Sequence, residues 1–448
     1  MDMVELTIEQ ANRLLITKCI SPEELISEYY KWISKIEPEI LAWALLREEE
    51  LVLKDIETIR KNKRVTPLSF LPYGVKDIFF TKGIATEAGS QTLKGFVPDK
   101  NATVIDKLVS SGALLIGKTT TAEFASGGGA PATRNPWNLL HTPGGSSTGS
   151  AAAVASGMSL FSLGTQTSGS VMRPASYNGL TALKPTFGII SKAGIFPASW
   201  SIDTVGIFTK NVKDITFVFN EIKGYDNHDP YSIKQVIQKL NLSKETSDKR
   251  FRIGMIKDAY FTGAEEVMAR FEEAIKIIEK QGHTILPCML PKDFELANRA
   301  HAIVVDSETA AFHQEHLDQN YPMFSEELKQ DIQTGMSYTA LDYIKAQQLR
   351  ETYKGAIREL FKEVDLLITP TTPETAPEGL KKTGSPKFNV PFSNAGLPTL
   401  TLPIGLSEKG LPIGMQIIAD DFCEQKLMDL GIKFQQETDF HLNKPMYI

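Results

Sequence analysis

Residues 141 to 192, HTPGGSSTGSAAAVASGMSLFSLGTQTSGSVMRPASYNGLTALKPTFGIISK, constrain this chain more than any other stretch. Glycine and serine recur there, yet the turns they form alternate with apolar segments, AAAVASGMSLFSLG and VMRPASYNGLTALKP. A flexible linker would repeat its composition without such punctuation. Glycines between packed elements serve close backbone approach, and a serine at the head of a following helix is presented for chemistry. The stretch therefore reads as a serine-based active site rather than a loop.

The segments around it alternate between the two periodicities. Thr7 with Gln10 and Ser21 with Glu24 form capping boxes, the second with Pro22 at the first helical position, so the first sixty residues read as helical and as packing outside the core. A charged helix is expected near Glu48 to Lys63. LPYGVKDIFFTKG (71 to 83) is the first strand-like run, and residues 102 to 110 form a helix leading into the strand ALLIG. Val212 to Phe219, Ala264 to Lys280 and Leu341 to Phe361 have helical spacing, while RIGMIK, DLLITP, TLTLPIG and PIGMQIIA read as strands. Strands alternating with helices predict an α/β fold, a large mixed β-sheet flanked by helices on both faces. No proline-rich or charge-rich linker divides the 448 residues, so one domain over 1–448 is expected. The least patterned region, about 225 to 345, is where substrate-facing insertions would sit.

Two patterns mislead. Gly112 and Gly117-Lys118-Thr119 match a phosphate-binding loop, but the four residues between the glycines are apolar and read as the strand itself, which excludes a cradle for phosphate. His313 and His316 lie in HQEH, a spacing that fits a solvated helix face and no zinc-hydrolase pattern. Cys19, Cys288 and Cys423 have neither paired nor CxxC spacing, which points to free thiols. A net charge of −6 carries no electrostatic footprint for nucleic acid. With no basic leader and no apolar run of about 18 residues, a soluble cytoplasmic protein is expected.

Chemistry then has to be found for the serines. Ser170 follows Thr167, Ser168 and Gly169, whose N–H groups could converge on an oxyanion if the turn enters a helix. A serine hydroxyl needs a base. His141 is the one histidine near, five residues before Ser146, and nothing orients it. Lys76 sits between apolar Val75 and Ile78; Asp77 offers it a plain ion pair, but a desolvated lysine can itself be the base. Its pKa must then fall from about 10.4 by about three pH units, which burial and hydrogen bonding can supply. Ser146 could pass the proton, since a hydroxyl both donates and accepts.

PYGVKDIFF, TPGGSSTGSAAAVASG and GTQTSGSVMRPASYNGLTALKPTFG together resemble the amidase signature family, strongly over about 65–215 and more weakly near 365–372 and 396–418. The resemblance implies a Ser-cisSer-Lys triad with Ser170 as nucleophile and Lys76 as base. The family's spacing of 24 residues between its serines selects Ser146 over Ser147 as the bridging cis-serine. It implies an oxyanion site at Thr167, Ser168, Gly169 and Ser170, with no metal and no cofactor. Many members carry Asp-Thr-Gly-Gly-Ser where this chain has Gln166-Thr167-Ser168-Gly169-Ser170. GTQTxGSVxRPA with SWSIDTVG is similar to the malonamidase-like branch, in which an arginine at the position of Arg173 meets a substrate carboxylate; fixing the Pro174 turn or pairing within the fold is the other role open to Arg173. The expected activity is hydrolysis of a carboxylic amide through an acyl-enzyme. The expected partner is a small-molecule amide alone, with no nucleic acid and no membrane, and self-association, if any, as a homodimer. The alternatives are the A subunit of a tRNA-dependent amidotransferase working with a partner, and a catalytically silent binding relative.

Overall fold

The computed structural model describes residues 3–61, 64–126, 130–242, 249–317 and 321–445. Among these, eleven strands form one mixed sheet: β1 (Trp43–Leu46), β2 (Pro72–Lys76), β3 (Leu114–Thr119), β4 (Phe161–Gln166), β5 (Thr181–Lys184), β6 (Thr204–Thr209), β7 (Arg252–Ile256), β8 (Thr284–Cys288), β9 (Leu366–Pro370), β10 (Thr399–Leu406) and β11 (Pro412–Ile418). Their order is β1-β3-β2-β4-β6-β5-β10-β11-β9-β7-β8. β2 lies parallel to β3 and β4, and β9, β7 and β8 are mutually parallel; every other pairing is antiparallel. The α/β class expected from the sequence is the fold observed.

Neighbouring residues of one strand enter different apolar clusters. Leu114 and Ile116 pack in one and Leu115 in another, and Leu367 parts in the same way from Leu366 and Ile368. Successive side chains point to opposite faces, so cover on both sides makes these strands continuously apolar. That explains why ALLIG and DLLITP read as buried strands and why the phosphate-loop pattern is occupied by β3.

Thr7 and Ser21 cap the helices Ile8–Ile16 and Pro22–Ile40 through full capping boxes. The charged helix spans Glu49–Lys61; residues 62 and 63 lie outside the described residues. The first sixty residues are not wholly outside the sheet, however. Trp43–Leu46 pairs with β3 as an edge strand, a four-residue element too short to show a period. Besides the expected helix, which spans Glu265–Lys280, the described part of the weakly patterned region contains the helices Phe294–His313 and Glu326–Ser337.

Candidate active site

Lys76 is the last residue of β2, and its side chain is fully buried. Register places it opposite Thr119 of β3, while β4 runs alongside with Val75 opposite Leu163. Lys76 Nζ is 2.8 Å from Ser146 Oγ and 3.0 Å from Thr165 Oγ1. Both neighbours are hydroxyls. Burial without a carboxylate contact brings the amine down from 10.5 to about 7, and the more distant charge of Asp203 only partly opposes this. Asp77 does not pair with Lys76. It takes Lys118 of β3 instead, at 3.1 Å, and Lys118 also donates to Phe79 O and Thr86 Oγ1. Two lysines, equally buried, thus differ in what surrounds the ammonium: one has an anion, the other has alcohols.

Ser146 follows a cis peptide bond, Gly145–Ser146, and Ser147 opens the helix Thr148–Ala155. That helix comes close to the chain above it, for a Cβ at Gly149 would stand 2.2 Å from Ala42 O. Ser147 is spent on structure: its Oγ donates to Thr165 O and accepts from Thr165 N.

The segment Thr167–Ser170 links β4 to the helix Met172–Tyr177. It is braced from several directions. Gln166 Oε1 accepts from the N–H of Val171 and of Met172, so the amide caps the turn where the family's acid stands, and its Nε2 donates to Ser393 Oγ. Thr167 Oγ1 donates to Asp203, whose other oxygen accepts from Ala198 N and Ser199 N. Ser393 Oγ donates to Ser168 O at 2.7 Å. Gly169 packs against the chain near 386–389, where a Cβ would come within 2.6 Å of Asn389 Oδ1. The N–H groups of Thr167, Ser168, Gly169 and Ser170 make no hydrogen bond among the described residues. No side-chain hydrogen bond of Ser170 Oγ is seen among the described residues either, and Ser170 lines a cavity.

Ser146, Thr167, Ser168, Ser170 and Arg173 line one cavity of about 330 Å³, with His301 and Asp306 from the helix Phe294–His313 on its wall. A cavity of about 480 Å³ between the N-terminal segment and the C-terminal helix holds none of the predicted site residues. Arg173 is buried, and its guanidinium donates to Gly384 O, to Gly145 O at 2.6 Å and to Thr383 Oγ1. Burial brings it down from 12.5 to about 10, which leaves it charged at neutral pH, and Nε has no partner among the described residues. Among the described residues none of these side-chain hydrogen bonds goes to the Pro174 turn; Arg173 pairs within the fold, tying the helix Met172–Tyr177 to the loops that carry Ser146 and Thr383.

The histidines stand elsewhere. His141 Nδ1 donates to Ala376 O, and His313 packs edge-on against Phe124. The side chain of His316 lies outside the described residues. Residues that the sequence left unmarked complete the site: Thr165, Asp203, His301, Asn389 and Ser393. Of these, only Thr165 and Asp203 fall inside motifs quoted above.

The amidase family model, described as Amidase, matches residues 24–428. The A subunit of glutamyl-tRNA(Gln) amidotransferase from Dehalococcoides mccartyi (strain CBDB1) is 33% identical, with 99% of each chain covered. Among solved structures, the corresponding A subunit from Thermotoga maritima superposes with a TM-score of 0.83 at 27% identity, covering 98% of this chain and 96% of the other. A peptide amidase in complex with the competitive inhibitor chymostatin does so at 0.85 and 27%, covering 98% and 99%.

These relatives correct the partner expectation. A chain acting by itself on a small-molecule amide, without nucleic acid and at most as a homodimer, does not fit relatives named as one subunit of an enzyme whose name includes a tRNA. Net charge averages over the whole surface, and an interface differs little in composition from the rest of it, so sequence carried no sign of the partner. The branch expectation also lacks support, since these relatives are amidotransferase subunits and not malonamidase-like proteins. No helix among the described residues is long and apolar enough to cross a membrane. End-to-end similarity and the family match establish that this amide-cleaving enzyme belongs to the amidase signature family.

Proposed function

We propose that the chain is the amide-cleaving A subunit of a multi-subunit amidotransferase, with Ser170 as nucleophile, Lys76 as base and Ser146 as the relay between them. The observation that carries the chemistry is the 2.8 Å contact of a buried lysine, with no carboxylate in contact among the described residues, with Ser146 on the wall of the cavity that Ser170 also lines. Near-complete coverage of both chains in the 33% match supports the place in a larger assembly. Neutral Lys76 takes the Ser146 proton while Ser146 takes that of Ser170. Ser170 Oγ then bonds to the amide carbon, and the carbonyl oxygen gathers charge against the N–H groups of Thr167–Ser170. The proton returns through Ser146 to the leaving nitrogen, ammonia departs, and water hydrolyses the ester at Ser170. Arg173, charged and with Nε lacking a partner among the described residues, suits a carboxylate on the substrate.

Ammonia release from glutamine, measured on the purified chain alone and with its partner subunits, tests the proposal. Ser170→Ala should abolish release, and the partner should raise the rate of the intact chain. Full activity in Ser170→Ala overturns the nucleophile. A rate on glutamine and other primary amides that the partner leaves unchanged overturns the place in an assembly.

A further inference from the structure

Ser168 stands where many members of the family have glycine, and a serine in an oxyanion loop brings a hydroxyl that must be placed somewhere. Here its Oγ is 3.0 Å from His301 Nε2, across 133 residues of sequence. His301 comes from the helix Phe294–His313, is 3% exposed and lines the same cavity as Ser170. Burial and the nearby Arg350 hold the imidazole well below its ordinary value, at about 3, so it stays neutral and pairs with a hydroxyl rather than with an anion. The other braces of this segment act at different points: Asp203 on Thr167, Ser393 on the Ser168 carbonyl, and Gln166 on the N–H groups that follow Ser170. None of them restrains the Ser168 side chain.

We infer that His301 is a positioning residue for the oxyanion loop: by holding the Ser168 hydroxyl it fixes the peptide planes of Thr167–Ser170 so that their N–H groups face the developing oxyanion. The inference rests on the reading of Ser170 as nucleophile. It makes the replacement of glycine by serine one half of a pair, the other half being a histidine on a separate helix. An oxyanion donor acts only if it points at the oxygen before the charge arrives, and losing one outright costs about 10²–10³ in rate. Loosening the loop while keeping every donor should cost less, about tenfold.

Phosphonylation of Ser170 by a fluorophosphonate reads this directly, with no need to know the natural amide. The Ser170 Oγ–P bond forms, the P–F bond breaks and fluoride leaves, the serine proton passes through Ser146 to Lys76, and the phosphoryl oxygen occupies the oxyanion site. Labelling rates would be followed by mass spectrometry on the full chain, with the thermal midpoint measured alongside. His301→Leu and Ser168→Ala should each slow labelling about tenfold, the double variant should be no slower than either, and His301→Gln, whose amide can reach Ser168 Oγ, should recover most of the rate. Losses that multiply to about a hundredfold in the double variant overturn the inference, and so does a His301→Gln variant as slow as His301→Leu. If His301→Leu does not fold, Ser168→Ala decides, and an unchanged rate overturns the inference. Wild-type protein labelled anywhere but Ser170 overturns the nucleophile and this inference with it; labelling at Ser170 with independent losses overturns this inference alone.

Discussion

Replacing Lys76 by methionine should make the protein's stability respond to pH differently from wild type, and the structure sets the size of the difference. Lys76 is fully buried, with two hydroxyls as its polar neighbours, and sits at about 7 against an ordinary 10.5. Between those values the unfolded chain binds a proton that the folded chain does not. Wild-type stability therefore rises with pH, relative to Lys76→Met, by about 1.4 kcal/mol per pH unit. Below pH 7 both states are protonated and the difference levels off. From pH 7 to pH 10 wild type should gain about 4 kcal/mol on the variant, which is to say that Lys76→Met is relatively most stable at neutral and acid pH. Losing the contacts to Ser146 and Thr165 adds an offset of about 1 kcal/mol each that does not vary with pH, so the slope and not the intercept is diagnostic. Urea midpoints of both proteins at half-unit steps from pH 6 to pH 10 give the difference directly. A flat difference would refute the reasoning, because it would mean that Lys76 keeps its charge in the folded protein and has no lone pair to accept a proton.

The same amine should govern rate. Acyl-enzyme formation should fall on the acid side with a midpoint near 7, to about 1% of the plateau at pH 5, and Lys76→Arg should stay inactive because a guanidinium remains protonated; a midpoint near 4, or turnover by the arginine variant, would remove Lys76 from the mechanism. Arg173→Leu should lower the thermal midpoint as well as raise KM for amides that bear a carboxylate, since it strands the buried carbonyl of Gly145 at about 1–3 kcal/mol and frees the part-buried one of Gly384 at less. An unchanged midpoint would show that those two bonds contribute nothing to the fold.

What could be read from sequence divides along the range of the interactions. Thr7 and Ser21 announced their helices because a capping box is complete within four residues. RIGMIK, DLLITP, TLTLPIG and PIGMQIIA announced β7, β9, β10 and β11 because burial on both faces leaves a run of apolar residues. Ser146, Ser170 and Lys76 were marked by motif, and that Asp77 pairs with Lys118 and not with its neighbour depended on which strand lies beside β2. The helix Phe294–His313 escaped notice since it buries His301, Glu308 and Thr309 along with its apolar residues, which blurs the stripe that would reveal it. Ser393 and Asn389 were out of reach for a simpler reason: each meets the loop across more than two hundred residues, and nothing local requires it there.

The braces on Thr167–Ser170 also bear on when the enzyme comes to exist during its own synthesis. Lys76, Ser146 and Ser170 all leave the ribosome early, but His301 follows far behind and Ser393 later still. Of the strands in the sheet, β10, which joins β5 to the C-terminal part, emerges last but one, and until it arrives β5 has a bare edge. On the proposed assignment, a nascent chain of about 380 residues would carry Lys76, Ser146 and Ser170 but lack Ser393, which braces the Ser168 carbonyl. If Ser170 is the nucleophile, a ribosome that stalls before the final strands should leave behind a chain that holds its reacting groups and does not turn over substrate.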